Sequence, residues 1–384
     1  MVGYRFSFIL LTGSLFYLLP TMTAHSATVI RRTSIPKLAV PDSAKTVPST
    51  QYSHGEPTDQ EQYMLELVNR ARANPAGECK FILASDDPKI QNGLKLYKID
   101  SNELTEKFSS YAEKPPLAFN PQLIDSARYH SQDMATHDFQ DHSSSDGSTL
   151  SDRLHNAGYD YYLGGENVFA YSYSSFYAQA AFLIDWGVDD LGHRKNLLDL
   201  DPDGHTQFRE IGIGITSESD PHTAVGPLVI TQDFGLIGTQ TVFITGVAYR
   251  DTNANNLYDP GEGLAGVAVM PDHGEYYAVT SSSGGFAIPV AASSGNYTLK
   301  IIQSDLPEVT ADVTIENENV KIDFPLDLAA TQTEDNQTVP PQGATITKTI
   351  SGLLGIPCSI PAVGLLFLLT FAGGNIQERR REPG

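Results

Sequence analysis

The hydrophobic period of this chain changes once, and that change limits what it can build. Thr58-Asp-Gln-Glu61 has the form of a capping box, followed by Met64, Leu65, Leu67, Val68 and Ala71 at helical spacing, with Asn74-Pro75 closing the run. Asn120-Pro121 opens a second helix with a cap residue and a proline at the first helical position. Leu123, Ala127, His130 and Met134 then share one face of it. A third helix is expected over about residues 175–188, and Glu210–Ile215 and Leu228–Phe234 read as short strands. Helices early and strands late around one core describe an α+β layered domain over residues 57–238. From 240 to 328 the pattern is different. Val242–Tyr249, Gly266–Met270, Ala278–Thr280, Phe286–Val290, Tyr297–Ile302, Ala311–Ile315 and Val320–Phe324 alternate with Gly, Asn, Asp and Ser turns, which argues a small all-β sandwich.

The flanks bear on compartment. Residues 1–26 read as a secretory signal: Arg5, the apolar run Phe6–Leu19, Pro20, then Ala24-His25-Ser26 before Ala27. A membrane anchor is the alternative, although the run is shorter than the ~20 residues a span needs. Residues 27–56 are rich in Ser, Thr and Pro without an apolar period and read as a linker. Residues 329–349 read the same way, as a stalk. Ile350–Ala372 carries no charge, and Arg379, Arg380 and Arg381 follow it. A transmembrane segment over 350–373 with a basic cytoplasmic tail at 374–384 is expected, and a processed sorting signal has a similar layout. In both cases the body lies outside the cytoplasm. Cys79 is then the single thiol of that body, because Cys358 falls inside the apolar segment, so no internal disulfide is expected. With 25 basic and 46 acidic side chains the net charge is −21, the opposite of a nucleic-acid binder's footprint.

Three short motifs carry candidate chemistry: Asp141-His142-Ser143, Gly165-Glu166-Asn167 and Gly192-His193-Arg194. If they converge, two imidazoles and a carboxylate suit zinc or a similar divalent cation. The plainer reading is that each histidine is simply hydrogen-bonded where it sits. His130, on the apolar face of its helix, is read first as a satisfied half-buried histidine and second as a cleft residue. Tyr159, Tyr161, Tyr162, Tyr171, Tyr173 and Tyr177 surround Glu166 in sequence, either as ordinary packing or as the rim of a ligand groove. Ser143 adjoins His142, but adjacency in sequence does not make a catalytic pair. The chain has no Gly-x-Ser-x-Gly elbow, no His-Glu-x-x-His and no phosphate-binding glycine loop.

A different ligand set lies further on. Asp251, Asn253, Asn255, Leu257 through its carbonyl, Asp259 and Glu262 occupy positions 1, 3, 5, 7, 9 and 12 of a calcium-type loop. Asn256 replaces the usual glycine at position 6, which asparagine tolerates in a left-handed turn. A polar turn without a cation is the alternative. Asp199–Glu210 fits the same pattern, but Pro202 stiffens it and Glu210 also begins a strand.

The ordered strings Glu61–Asn74, Leu117-Ala-Phe-Asn120, Ala127–Ala135, Asp141-His-Ser143, Asp152-Arg-Leu154, Gly165-Glu-Asn-Val168, Gly192–Leu197, Glu210–Gly214 and Thr231-Gln-Asp-Phe-Gly235 resemble the CAP superfamily. That superfamily comprises the cysteine-rich secretory, antigen 5 and plant pathogenesis-related proteins; the resemblance here is to its disulfide-poor bacterial form. It implies an α-β-α sandwich with a cleft lined by two histidines and two acids. His142 and His193 match the histidines, and Glu166 the first acid. The second acid normally follows the tryptophan-bearing helix. Here Trp186-Gly-Val-Asp189-Asp190-Leu-Gly-His193 departs from that spacing, so Asp189 and Asp190 are both candidates. The later region resembles calcium-binding β-sandwich repeats of bacterial adhesins. The expected function is binding of a divalent cation, and of a lipid, glycan or peptide, in the cleft. A metal-dependent hydrolase using His142, Glu166 and His193 is the alternative, and a surface presenter with a vestigial cleft is a third reading.

Overall fold

The computed structural model describes residues 27–34, 36, 46–200, 207–293, 295–304 and 308–326. In chain order the first elements are β1 (Thr28–Arg31), β2 (Thr50–Tyr52), α1 (Asp59–Ala73), α2 (Pro75–Leu83), α3 (Pro88–Leu96), α4 (Ser101–Ser109), β3 (Ala118–Phe119) and α5 (Pro121–His137). They are followed by α6 (Leu150–Asn156), β4 (Leu163–Ser172), α7 (Ser175–Ile184), α8 (Gly192–Leu198), β5 (Glu210–Ser217) and β6 (Leu228–Leu236). Five strands form one sheet in the order β1-β4-β6-β5-β3, with only the β3–β5 pair parallel.

The alternation in β5 explains how the layers close. A Cβ on Gly212 would sit 1.9 Å from the Leu123 carbonyl carbon, and one on Gly214 would sit 2.4 Å from that of Ala127. The bare glycine edge therefore lets the α5 backbone lie directly on the sheet. Ile211 and Ile213 alternate with those glycines and join a core with Met64 and Val68 of α1, Leu183 of α7 and Phe234 of β6. The result is the α+β layering expected from the pattern. The expected capping box is present, with Thr58 N–H donating to Glu61 and Glu61 N–H to Thr58 Oγ1. Asn120 caps α5 through Gln122 and Leu123 N–H.

The later region contributes β7 (Thr241–Tyr249), β8 (Ala268–Pro271), β9 (Tyr276–Val279), β10 (Gly285–Ala291), β11 (Gly295–Ile302), β12 (Val309–Ile315), β13 (Val320–Lys321) and β14 (Phe324–Pro325). One sheet is ordered β10-β7-β13, with β14 also on β7, and the other β12-β11-β8-β9-β2. Ile244, Phe286 and Ile288 from the first meet Leu299, Val269 and Val313 from the second in a shared core. The expected Val320–Phe324 strand is split into two short pieces, both parallel to β7.

Two corrections concern the segment read as a linker. Thr28–Arg31 is the outer strand of the first sheet, and Thr50–Tyr52 pairs in parallel with β9 of the later region. Strands this short draw their order from a partner's edge, not from an apolar period of their own. The expected signal, stalk, transmembrane segment and tail lie outside the described residues. Among the described residues, no helix is long and apolar enough to cross a membrane.

The two folded regions share an interface. Arg209 donates to the Thr239, Thr241 and Asn317 carbonyls, and Asn319 donates to those of Pro116 and Arg209. Lys321 bridges Glu66 of α1, at 2.7 Å, and Asp323.

Candidate functional site

Glu166 lies on β4, fully buried, opposite Asp233 of β6. Its Oε1 is 2.7 Å from His142 Nδ1, and its Oε2 accepts from Arg153. Burial pushes the Glu166 carboxyl up, but the His142 hydrogen bond and the nearby charges of His130, Arg153 and His142 bring it down to about 2. Asp233 goes the other way. Burial first, and then the Glu166 charge, hold it well above the usual carboxylate range. Its Oδ2 accepts from Ser126, while Oδ1 is buried with no partner. A protonated Asp233 beside an ionised Glu166 accounts for all of this, since two adjacent buried carboxyls do not both ionise.

His193 opens α8 and is held by a residue that the sequence pattern did not single out. The helix expected to run to residue 188 stops at Ile184, and Asp185 takes a left-handed φ of 59°. That turn aims its carboxylate at the start of α8. Oδ1 is 2.7 Å from His193 Nδ1, and Oδ2 accepts the Arg194 N–H at 3.0 Å. Arg194 in turn donates to the Leu183 and Ile184 carbonyls, closing the end of α7. The acid beside His193 is therefore Asp185, one residue before Trp186. Asp189 and Asp190 follow the tryptophan and are exposed. An acid that ends an otherwise apolar helix (Phe-Leu-Ile-Asp) was the available signal.

The two carboxylate–imidazole pairs are tied together through α8. Asn196 Nδ2 donates to the Glu166 carbonyl at 3.2 Å and to Asn167 Oδ1 at 3.1 Å. Asn167 Nδ2 donates to the His193 carbonyl at 3.4 Å and to Gln232 at 3.0 Å. With Nδ1 directed at Asp185, His193 has its Nε2 buried and unpartnered. Carboxylate-oriented imidazoles of this kind suit a divalent cation. Among the described residues, no group of three His, Cys, Asp or Glu side chains is arranged to hold a metal ion.

His130 faces inward. Its Nε2 is 2.8 Å from the Asp141 carbonyl, so Nε2 carries the proton, and Ser144 Oγ lies 3.3 Å from Nδ1. Nε2 is also 3.9 Å from Glu166 Oε2, and burial lowers its pKa. Arg153 is consequently the permanent countercharge of Glu166 at neutral pH. The tyrosines divide: Tyr159 is buried and bonds Glu210, Tyr161 meets Ser151, and Tyr173 is exposed.

The loop over Asp251–Glu262 folds on its own donors. Asp251 accepts from the Asn255 and Asn256 N–H groups, and Asp259 accepts from the Asn253 and Asn255 side-chain amides. Glu262 accepts from the Thr252 N–H and hydroxyl and from the Asp259 N–H. Asn255 Oδ1 accepts from the Leu257 N–H. Asn256 has φ 60°, the left-handed turn that a glycine would otherwise supply. The ends of the second calcium-type pattern serve packing instead: Asp199 pairs with Arg72 at 2.7 Å, and Glu210 accepts from Asn120 and Tyr159.

An α+β domain with two acid–histidine pairs, one on β4 and one between α7 and α8, defines the class. Residues 65–234 match the model of the CAP, cysteine-rich secretory protein, family, so the chain carries a CAP domain there, followed by a β-rich region. No curated protein matches the chain. Among solved structures, an extracellular protein containing a SCP domain from Bacillus anthracis str. Ames, determined at 1.5 Å, is 24% identical, with a TM-score of 0.24. The likeness covers 40% of this chain and 44% of that one, so this chain spans less than half of that protein's length.

Proposed function

We propose that the CAP domain is an exported binding module that holds a divalent cation between His142 and His193 and, beside it, a lipid, glycan or peptide ligand. One observation carries this reading. His193 is fixed through Nδ1 by Asp185 while its buried Nε2 has no partner, an arrangement whose desolvation cost is otherwise uncompensated. His142 is oriented in the same way by Glu166. A bound cation would polarise a ligand oxygen; the protein's own part is to hold both imidazoles correctly turned through their carboxylate partners. Zinc titration of the chelator-stripped protein by calorimetry is expected to show one site, weakened at least about tenfold (1.4 kcal/mol) in His193→Ala. No binding, or the same binding in a folded variant, would overturn the reading.

The loop over Asp251–Glu262 is read as a calcium site that stiffens the β-rich region. The sequence at both ends supports export with retention at a membrane. Protease added to intact cells should then digest residues 57–328, and a protected cytoplasmic protein would refute that placement.

A further inference from the structure

Strand β1 lies at the outer edge of the sheet, paired with the strand that carries Glu166, with one face on the core and the other exposed. Thr28 pairs with Glu166, Val29 with Gly165, Ile30 with Gly164 and Arg31 with Leu163, all antiparallel. The Arg32 N–H extends the ladder to the Tyr162 carbonyl at 2.8 Å. At the cleft end, a Cβ on Gly192 would come within 2.7 Å of the Ala27 nitrogen, so only the absence of a side chain admits the strand next to His193. Asn196, which bonds the Glu166 carbonyl, also reaches the Thr28 carbonyl at 3.5 Å.

Three features of the groove read side chains. The bare Gly192 accepts a small residue at 27. In the middle, Ile30 fills the space a Cβ on Gly164 would take, at 2.9 Å, and packs with Leu150, Leu154, Tyr159 and Tyr161. At the far end Arg32 pairs with Asp160 and lies 4.3 Å over the Tyr161 ring, while Arg31 lies 5.9 Å from that of Tyr162. A small residue, an aliphatic one and a basic pair are thus each met by a matching feature, while the main chain supplies the hydrogen bonds. That is how an exposed sheet edge recognises an extended peptide. β1 itself is weakly tied, being four residues long, paired on one side only, with Val29 half exposed.

We propose that the β4 edge is a binding groove for an extended peptide of the pattern small-x-x-aliphatic-basic-basic, and that residues 27–32 occupy it in cis as the chain's own stand-in ligand. The proposal rests on the reading of the cleft as a ligand site and specifies a peptide as the ligand class.

The test uses the full chain and a fluorescein-labelled peptide with the sequence of residues 27–33, followed by anisotropy in chelator. Ile30→Asp, which weakens the cis strand, is expected to bind the peptide at least tenfold more tightly than the unmodified protein. Adding Asp160→Ala should remove most of that gain. A folded Ile30→Asp chain that binds no better than the unmodified one overturns the proposal. Hydrogen exchange on the unmodified protein guards against a variant that fails to fold. Amides of residues 28–31 should exchange at least tenfold faster than those of β6, and equal protection would mean that β1 is a fixed structural strand. Zinc calorimetry separates the two readings, since losing zinc binding while peptide binding persists defeats only the cation, and the converse defeats only the peptide groove.

Discussion

At the scale of single residues, Glu166 is the hinge of the site's electrostatics. It is ionised in a fully buried position because Arg153 and His142 face it, and Asp233 beside it is neutral. Removing the charge leaves Arg153 buried with only neutral partners, the His142 and Ser148 carbonyls and the Ser144 hydroxyl. Glu166→Gln should therefore lower unfolding stability by about 3–5 kcal/mol, the cost of breaking a buried pair. Asp233→Asn keeps an acceptor for Ser126 and stays neutral beside Glu166, and should cost less than about 1 kcal/mol. Urea unfolding at pH 7 distinguishes them, and equal losses would mean that Asp233 is charged. His142, Glu166 and His193 were legible as motifs because histidine and acid flanked by glycine or serine stand out. Asp185 was not, because its role depends on a left-handed residue that ends α7 early, which no spacing rule encodes.

Among elements, those with an internal period or a cap were readable, such as α1 from Thr58–Glu61 and β5 from its Gly–Ile alternation. β1 and β2 were not, because their partners supply their order. The calcium-type loop lies between these cases: its ligand spacing is visible, while its folded state is set by N–H donors within the loop. Asp259 accepts both amides through its Oδ2 alone, so asparagine there preserves those bonds and removes only charge, whereas Asp251 accepts one backbone N–H on each oxygen and would lose one of them as asparagine. The full chain should melt higher in millimolar calcium than in chelator. The gain is about 2.7 kcal/mol when calcium is a hundredfold above its dissociation constant. Asp259→Asn should lose much of that difference and keep its melting temperature in chelator, because both amides still find an acceptor. Identical melting of the unmodified chain in both conditions would reduce the loop to a polar turn.

For the whole molecule, the sequence divides the two regions but says nothing about how they dock. Arg209, Asn319 and Lys321 sit in ordinary-looking strands and turns, and their partners lie far away in the chain, where no local pattern points. The docking leaves one titratable group with a clear consequence. His54 stacks on Phe119 of β3 at 6.5 Å and lies near Gln62 of α1 and Gly285 of β10, where both regions meet. It is 2% exposed, and its Nε2 has no partner. Burial lowers its pKa to about 4. The native chain thus keeps His54 neutral at a pH where the unfolded chain, titrating near 6.5, takes up a proton. Stability from this group is full above about pH 6.5, declines as the pH falls, and levels off near pH 4. Between pH 7.5 and pH 5 that difference amounts to about 2 kcal/mol. His54→Phe retains the ring against Phe119 and cannot titrate, so its unfolding free energy should fall less over the same interval by that amount. Chemical denaturation of both proteins at the two pH values measures it, with the carboxylates common to both cancelling in the comparison. Parallel losses in the two proteins would show that His54 is protonated within the folded junction.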